Sequence, residues 1–286
     1  MMANDKDLNY LDYSKDAIED NTVQTTFKFT EIPKSDKALK LRAEGKLNEA
    51  LALIDDALDE DSNSFQNWHA KALVLDSLKD YENSIECFNK ALNLDGSDFL
   101  MKDKANTLYK FAKVTFFPDM NYEKAMNLID EALECLPEDE DASEYYFLKA
   151  EIFESLEQPA ETRLYYLKAQ GEFEKADELS SQMKFLKDSE DVLITVSGTG
   201  FFKGLDPFKT GVILDLVKQP DNEHDGDAIA VFLDDEQVGY VANSPYTLID
   251  GVKSASDIKF IGDNQKAEVL FLFSESLVIM KLVDDF

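Results

Sequence analysis

Residues 65–98 read FQNWHAKALVLDSLKDYENSIECFNKALNLDGSD, and large and small apolar residues alternate along them at Trp68, Ala72, Leu75, Tyr81, Ser84, Phe88 and Ala91. Those offsets let two antiparallel helices pack closely and stack on a copy of themselves. Such a unit cannot bury its apolar face alone, so the chain must supply neighbours. Thirty-four residues upstream, Lys34, Ala38, Leu41, Leu47, Ala50, Ile54 and Ala57 occupy the same places. A third unit begins near Phe99 and is interrupted after Tyr109, with FAKVTFFPDMN at 111–121, then resumes at Tyr122, Ala125, Ile129, Ala132 and Pro137. The seven extra residues are expected to lengthen the turn, with Pro118 and Asp119 stopping the first helix. Phe111, Phe116 and Phe117 give that region apolar surface to bury. A fourth unit starts near Ser143 with Tyr146, Ala150, Phe153, Thr162, Tyr166 and Ala169, and Pro159 suits the first turn of its second helix. Phe173, Ala176, Leu179, Met183 and Leu186 then continue at helical spacing, which predicts a closing helix with a polar outer face.

This pattern resembles the tetratricopeptide repeat. The resemblance implies an N-terminal α-solenoid of helical hairpins over residues 31–187, four repeats and a capping helix. Residues 1–30 are polar and acidic, a tail in which Val23 to Phe29 alternate as a short strand would. After the polar break at Lys187–Glu190 the period changes to two. Alternation at Val192/Ile194/Val196 and Val212/Leu214/Leu216 is followed by AIAVFL, QVGYV, IKFI, EVLFLF and LVIMKL. Six or seven short strands in residues 191–286 predict a small, closed or nearly closed β-barrel-like domain. One helix is expected within it, capped by Ser244, with Pro245 in its first turn and Leu248, Ile249 and Val252 on its apolar side.

The formal net charge is −30, a field that repels phosphates and anionic lipid unless basic residues cluster, and no cluster is seen. Arg42 and Arg163 are the only arginines, so part of the acidity reads as a compositional habit of the lineage. Cys87 and Cys135 lack metal or redox spacing and read as small buried hydrophobes in a reducing compartment. The start lacks the basic and apolar regions of a signal peptide, and no apolar stretch reaches membrane-spanning length, so the expected location is cytoplasmic. No catalytic constellation is found. His69 and His224 are the only histidines, and GTGFFKG at 198–204 lacks the glycine spacing and following helix of a dinucleotide site. The expectation is therefore no enzyme, no cofactor and no metal. The acidic run Glu138–Asp141 reads as a solvated loop between repeats.

The most distinctive segment of the second domain is GTGFFKG, then LVKQPDNEHDGDAIAV over 216–231, then Val238-Gly239-Tyr240-Val241. Read locally, Pro220 ends a strand, Asn222 and Asp225 close a turn on their own backbone, and Ala228 and Ala230 allow close strand packing. In order, spacing and length the segment resembles the HIRAN domain. That resemblance implies a barrel-like module found beside helicases and nucleases, some members of which hold the 3′ end of single-stranded DNA. Carried over, Phe201 and Phe202 would be a base-stacking pair, Asn222 and Asp225 a polar clamp, His224 a replacement for a tyrosine, and Tyr240 a groove residue. The arginine of DNA-binding members falls at Gly200 and their lysine at Asn243. From Glu190 to Phe286 there are seven Lys and no Arg against 18 Asp plus Glu, a net −11 that weakens phosphate binding.

In the repeats, the first helix of each hairpin would line a groove for an extended or helical peptide. The candidates are Ser35, Leu39 and Arg42 of the first repeat, Gln66, His69, Leu73 and Asp76 of the second, and Asp103, Thr107 and Lys110 of the third. The Lys and Asn residues with which chaperone-binding relatives clamp a C-terminal carboxylate are missing, and the charge favours a basic or apolar ligand. The function expected is a non-enzymatic adaptor that binds a protein or peptide through the repeat groove, with the HIRAN-like module as a second binding site. The alternative is an accessory protein that recognises single-stranded DNA 3′ ends through that module. No membrane partner is expected.

Overall fold

A computed structural model describes residues 32–117, 120–244, 247–262 and 265–283. Its first part is a run of antiparallel hairpins: α1 (Lys34–Ala43) with α2 (Leu47–Glu60), α3 (Phe65–Ser77) with α4 (Tyr81–Leu94), α5 (Asp98–Phe116) with α6 (Tyr122–Cys135), and α7 (Ser143–Ser155) with α8 (Pro159–Ala169). A further helix, α9 (Phe173–Asp188), follows. The small residues of the repeat sit where helices touch. Ala38, Ala50, Ala72, Ser84, Ala125 and Ala150 are fully buried, and Ser84 Oγ donates to the Ala72 carbonyl at 2.8 Å across the second hairpin. Ser64 caps α3 by accepting from the Asn67 N–H, and Asn121 caps α6 in the same way through Lys124. Lys71–Asp55 and Lys149–Asp130 ion pairs tie a first helix to the preceding hairpin at repeat-equivalent places. Both cysteines are free. Cys87 is buried and Cys135 half-buried, and burial pushes each thiol up.

The insertion in the third unit lengthens a helix rather than the turn. α5 has 19 residues where α3 has 13. No strong breaker precedes Phe116, so the added residues propagate the helix. Pro118 and Asp119, expected to stop it, lie outside the described residues. The extension buries part of its apolar surface: Phe111 stacks on Tyr81 at 5.5 Å and Phe116 packs near Tyr122, whereas Phe117 stays exposed. The stretch Val23–Phe29 and the rest of the tail also lie outside the described residues.

The second part is a closed barrel with strand order β1-β4-β3-β2-β5-β6. Its strands are β1 (Leu193–Ser197), β2 (Ile213–Lys218), β3 (Ile229–Leu233), β4 (Glu236–Val241), β5 (Lys266–Phe273) and β6 (Leu277–Val283). All pairings are antiparallel, with register shifts at Val231/Phe232 and Val269/Phe271. Period-two alternation places Leu216, Val231 and Val238 inside. Two expectations change. The IKFI segment forms turns, not a strand: Ile258 and Ile261, three apart, point into the barrel core and Phe260 is exposed. Over 247–252, where a helix was expected, the described chain also turns. Ile249 and Val252 pack toward α9, so their apolar character serves a domain contact. The helical element here is a 3₁₀ helix at Thr199–Phe201.

The closing helix departs from expectation too, because one side of it is covered by the barrel. Leu179 and Leu186 join Leu193, Phe273 and Ile279 in one buried cluster, and the Phe185 and Phe271 rings meet edge-on at 5.8 Å. At Gly251 the backbone has φ +89°, and a Cβ there would stand 2.2 Å from the Leu186 carbonyl oxygen. Only glycine permits that approach. No helix among the described residues is long and apolar enough to cross a membrane.

Candidate functional site

Two surfaces gather the residues singled out in the sequence. On the barrel, direct cross-strand partners run Val217–Ala230–Tyr240–Ser197 over four strands. Partners share a face, and this row faces outward, since Val217 is exposed and the alternate row fills the core. Ala230, itself fully buried, brings only a methyl group beside Tyr240. Gly239 is the close approach beside it: a Cβ there would stand 2.5 Å from Val196 Cγ1, so β1 and the 3₁₀ helix lie tight over β4. The consequence is that Phe202 reaches Tyr240, with ring centroids 6.1 Å apart, and Phe201 projects with 92% of its surface exposed.

The β2–β3 turn borders this row. Asn222 Oδ1 accepts from the N–H groups of His224 and Asp225 at 3.0 and 3.2 Å, the local turn read from the sequence. Asp225 uses both oxygens. Oδ1 accepts from the Asp227 N–H at 2.9 Å and Oδ2 from Asn243 Nδ2 at 2.8 Å. Asn243 Oδ1 in turn accepts from the Ser256 N–H, and Ser256 Oγ donates to Asp227. Asn243, Ser256 and Asp227 thus lock the turn to the loop after β4. In the sequence Asn243 stands out only as the place where DNA-binding relatives carry lysine, and 18 positions separate it from Asp225. His224 is exposed and makes no side-chain bond among the described residues. Lys203 is paired with Glu236.

On the array, α1, α3 and α5 are bonded side by side through the predicted groove residues. Arg42 Nε donates to Ser77 Oγ at 2.7 Å, and His69 Nε2 lies 2.7 Å from Asp103 Oδ2, its ring between Phe88 and Phe99. Asp76, 7% exposed, accepts from Thr107 at 3.1 Å and pairs with Lys110 at 2.7 Å. Leu73 packs partly into the core near Phe88, Gln66 is exposed, and Ser35 is buried. Arg42, His69, Asp76, Asp103, Thr107 and Lys110 are thus bonded from α1 to α3 and from α3 to α5, and exposed aromatic side chains stand on α5 and α7. Phe99 is 46% and Phe147 49% exposed. Among the described residues no group of His, Cys, Asp and Glu is placed to hold a metal ion.

Residues 65–98 match the profile of the tetratricopeptide repeat, and residues 189–254 match that of the HIRAN domain. The chain carries both modules. The HIRAN match includes the exposed aromatic pair, the Asn222–Asp225 turn and Tyr240. No curated protein matches the chain. Among solved structures, MamA aligns at 14% identity over 51% of this chain and 79% of its own, with a TM-score of 0.37. PilF of Pseudomonas aeruginosa aligns at 20% identity over 52% and 60%, with a TM-score of 0.32. YrrB, described as a TPR protein with an unusual peptide-binding site, aligns at 17% identity over 52% and 91%, with a TM-score of 0.30.

Proposed function

We propose that this protein is a non-enzymatic adaptor that holds a protein or peptide partner against the first-helix wall of its tetratricopeptide array, with the HIRAN barrel as a second binding site. The observation that carries the reading is the pairing of exposed Phe99 and Phe147 with a polar framework already bonded to itself. A wall so fixed loses little side-chain entropy when a ligand covers its aromatic residues. Photocrosslinking tests it. A photoreactive phenylalanine analogue at position 99 or 147 is expected to form partner adducts in cells, while the same analogue at Phe173, equally exposed on α9, should not. Absence of adducts at both wall positions would refute the reading.

The exposed Phe201 beside Phe202 and Tyr240 supports a second reading, in which the barrel stacks an unpaired DNA end. Anisotropy of the full chain with labelled single strands, free or blocked at the 3′ end, decides it. Binding that needs the free end and falls with Phe201→Ala supports it; no binding at low salt sinks it.

A further inference from the structure

The charged rungs stop at α5: α7 is joined to it by the neutral Tyr145 hydroxyl, which donates to Asn106 at 2.9 Å. Where the third repeat has Asp103, Thr107 and Lys110, the fourth has Phe147, Glu151 and Glu154, and none of these carboxylates is paired with a lysine or arginine among the described residues. Together with Glu144 they recur at intervals of three and four, on one face of α7. Phe147 stands in that face, its ring edge-on to Tyr166 at 5.5 Å, and Tyr166 donates to Glu154 at 3.1 Å. Two cations of α5 are already committed: Lys110 to Asp76, and Lys113 over the Tyr109 ring at 5.5 Å. Burial pushes the phenols of Tyr109 and Tyr166 up, and the field of Glu144, Glu151 and Glu154 adds to it.

We infer that the α7 end of the first-helix wall takes a lysine- or arginine-bearing segment of the partner, its cation set between Glu151 and Glu154 and its stem over Phe147. The inference rests on the adaptor reading and names the chemistry of the partner. A cation supplied there gives α7 the charged pair that Lys110 and Asp76 form one repeat earlier. The aromatic faces of Phe147 and Tyr166 attract it as well, the contact that Lys113 already makes with Tyr109. An acidic or phosphorylated segment would face three carboxylates that no lysine or arginine among the described residues pairs with.

The test uses the full chain and a short fluorescent peptide of Lys, Leu and Ser, compared with the same peptide carrying Gln for Lys. The lysine peptide is expected to bind at least about tenfold more tightly, and Glu151→Gln with Glu154→Gln should remove about tenfold of its affinity, the worth of one or two ion pairs with aromatic support. Asp234→Asn with Asp235→Asn makes the same charge change on the exposed β3–β4 turn and should leave binding unchanged. Equal loss in both double variants would show diffuse attraction by an acidic protein and overturn the inference, as would equal binding of the two peptides. If neither peptide binds while positions 99 and 147 still crosslink a partner, the inference falls and the adaptor reading stands; if neither binds and no adduct forms, both fall.

Discussion

Gly251→Ala tests whether the barrel stabilises the array it covers. The added Cβ would stand 2.2 Å from the Leu186 carbonyl oxygen and 2.7 Å from its carbon, both backbone atoms of α9 that, unlike the end of a side chain, cannot rotate away. Contact at ordinary distance requires the loop and α9 to part by roughly 1 Å, an overpacking cost of about 1–3 kcal/mol. Alanine at φ +89° adds about 1–2 kcal/mol of backbone strain. The expected destabilisation is about 2–5 kcal/mol, which at a urea slope of about 2–3 kcal/mol/M lowers the midpoint by about 0.7–2.5 M. Trp68, the single tryptophan, lies on α3 in the array and reports the transition by fluorescence. Because the cluster of Leu179, Leu186, Phe273 and Ile279 spans both modules, the array should lose stability with the barrel contact. Gly226→Ala, where an added Cβ meets nothing within 4 Å, is the control. An unchanged Trp68 midpoint in Gly251→Ala would refute the coupling.

Three further outcomes test individual bonds of the fold. Asp76→Ala leaves the buried Thr107 hydroxyl without its acceptor and Lys110 without its carboxylate, and should cost about 1–3 kcal/mol in urea unfolding even with no ligand present. Tyr145, whose hydroxyl donates to Asn106 at 2.9 Å, has its phenol pushed up to about 12, chiefly by burial and further by Tyr109, Glu144 and Glu140. The folded state holds that proton more tightly than the unfolded one, so its stability contribution is complete below pH 10 and is lost as pH rises toward 12, about 3 kcal/mol in all; Tyr145→Phe should flatten that part of the alkaline stability profile. Asn243→Ala removes the bond to Asp225 and the acceptor for the Ser256 N–H, and amide exchange in the β2–β3 turn should speed up while exchange in β5 and β6 stays unchanged.

The repeat hairpins were legible because each carries its own signal: a small residue at every helix crossing and a large one between. The strands were legible from period-two alternation in the same local way. What the sequence hid is long-range. The length of α5 depended on residues that can extend a helix as readily as fill a turn. IKFI reads as a strand by composition, yet its inward residues are three apart because the segment turns against the barrel core. The apolar side of α9 looked like a cap's inner face, and nothing local says that a barrel covers it. At the sites, the Asn222 turn could be read from its own residues. The Asp225–Asn243 bond and the rungs between repeats join residues 18 to 35 positions apart, and only the folded chain brings them together.

A repeat array is a one-dimensional lattice, and the apolar face of its last hairpin is a growth surface on which another hairpin, from the same chain or a neighbour, can nucleate. Here that surface meets the outer side of β1, β5 and β6, strands of a sheet closed on itself. A closed sheet offers neither a helix-shaped groove nor an unpaired strand edge to the next molecule. At this end the lattice is terminated by a body of different symmetry, which makes the array finite and its polymerisation from the α9 side geometrically forbidden.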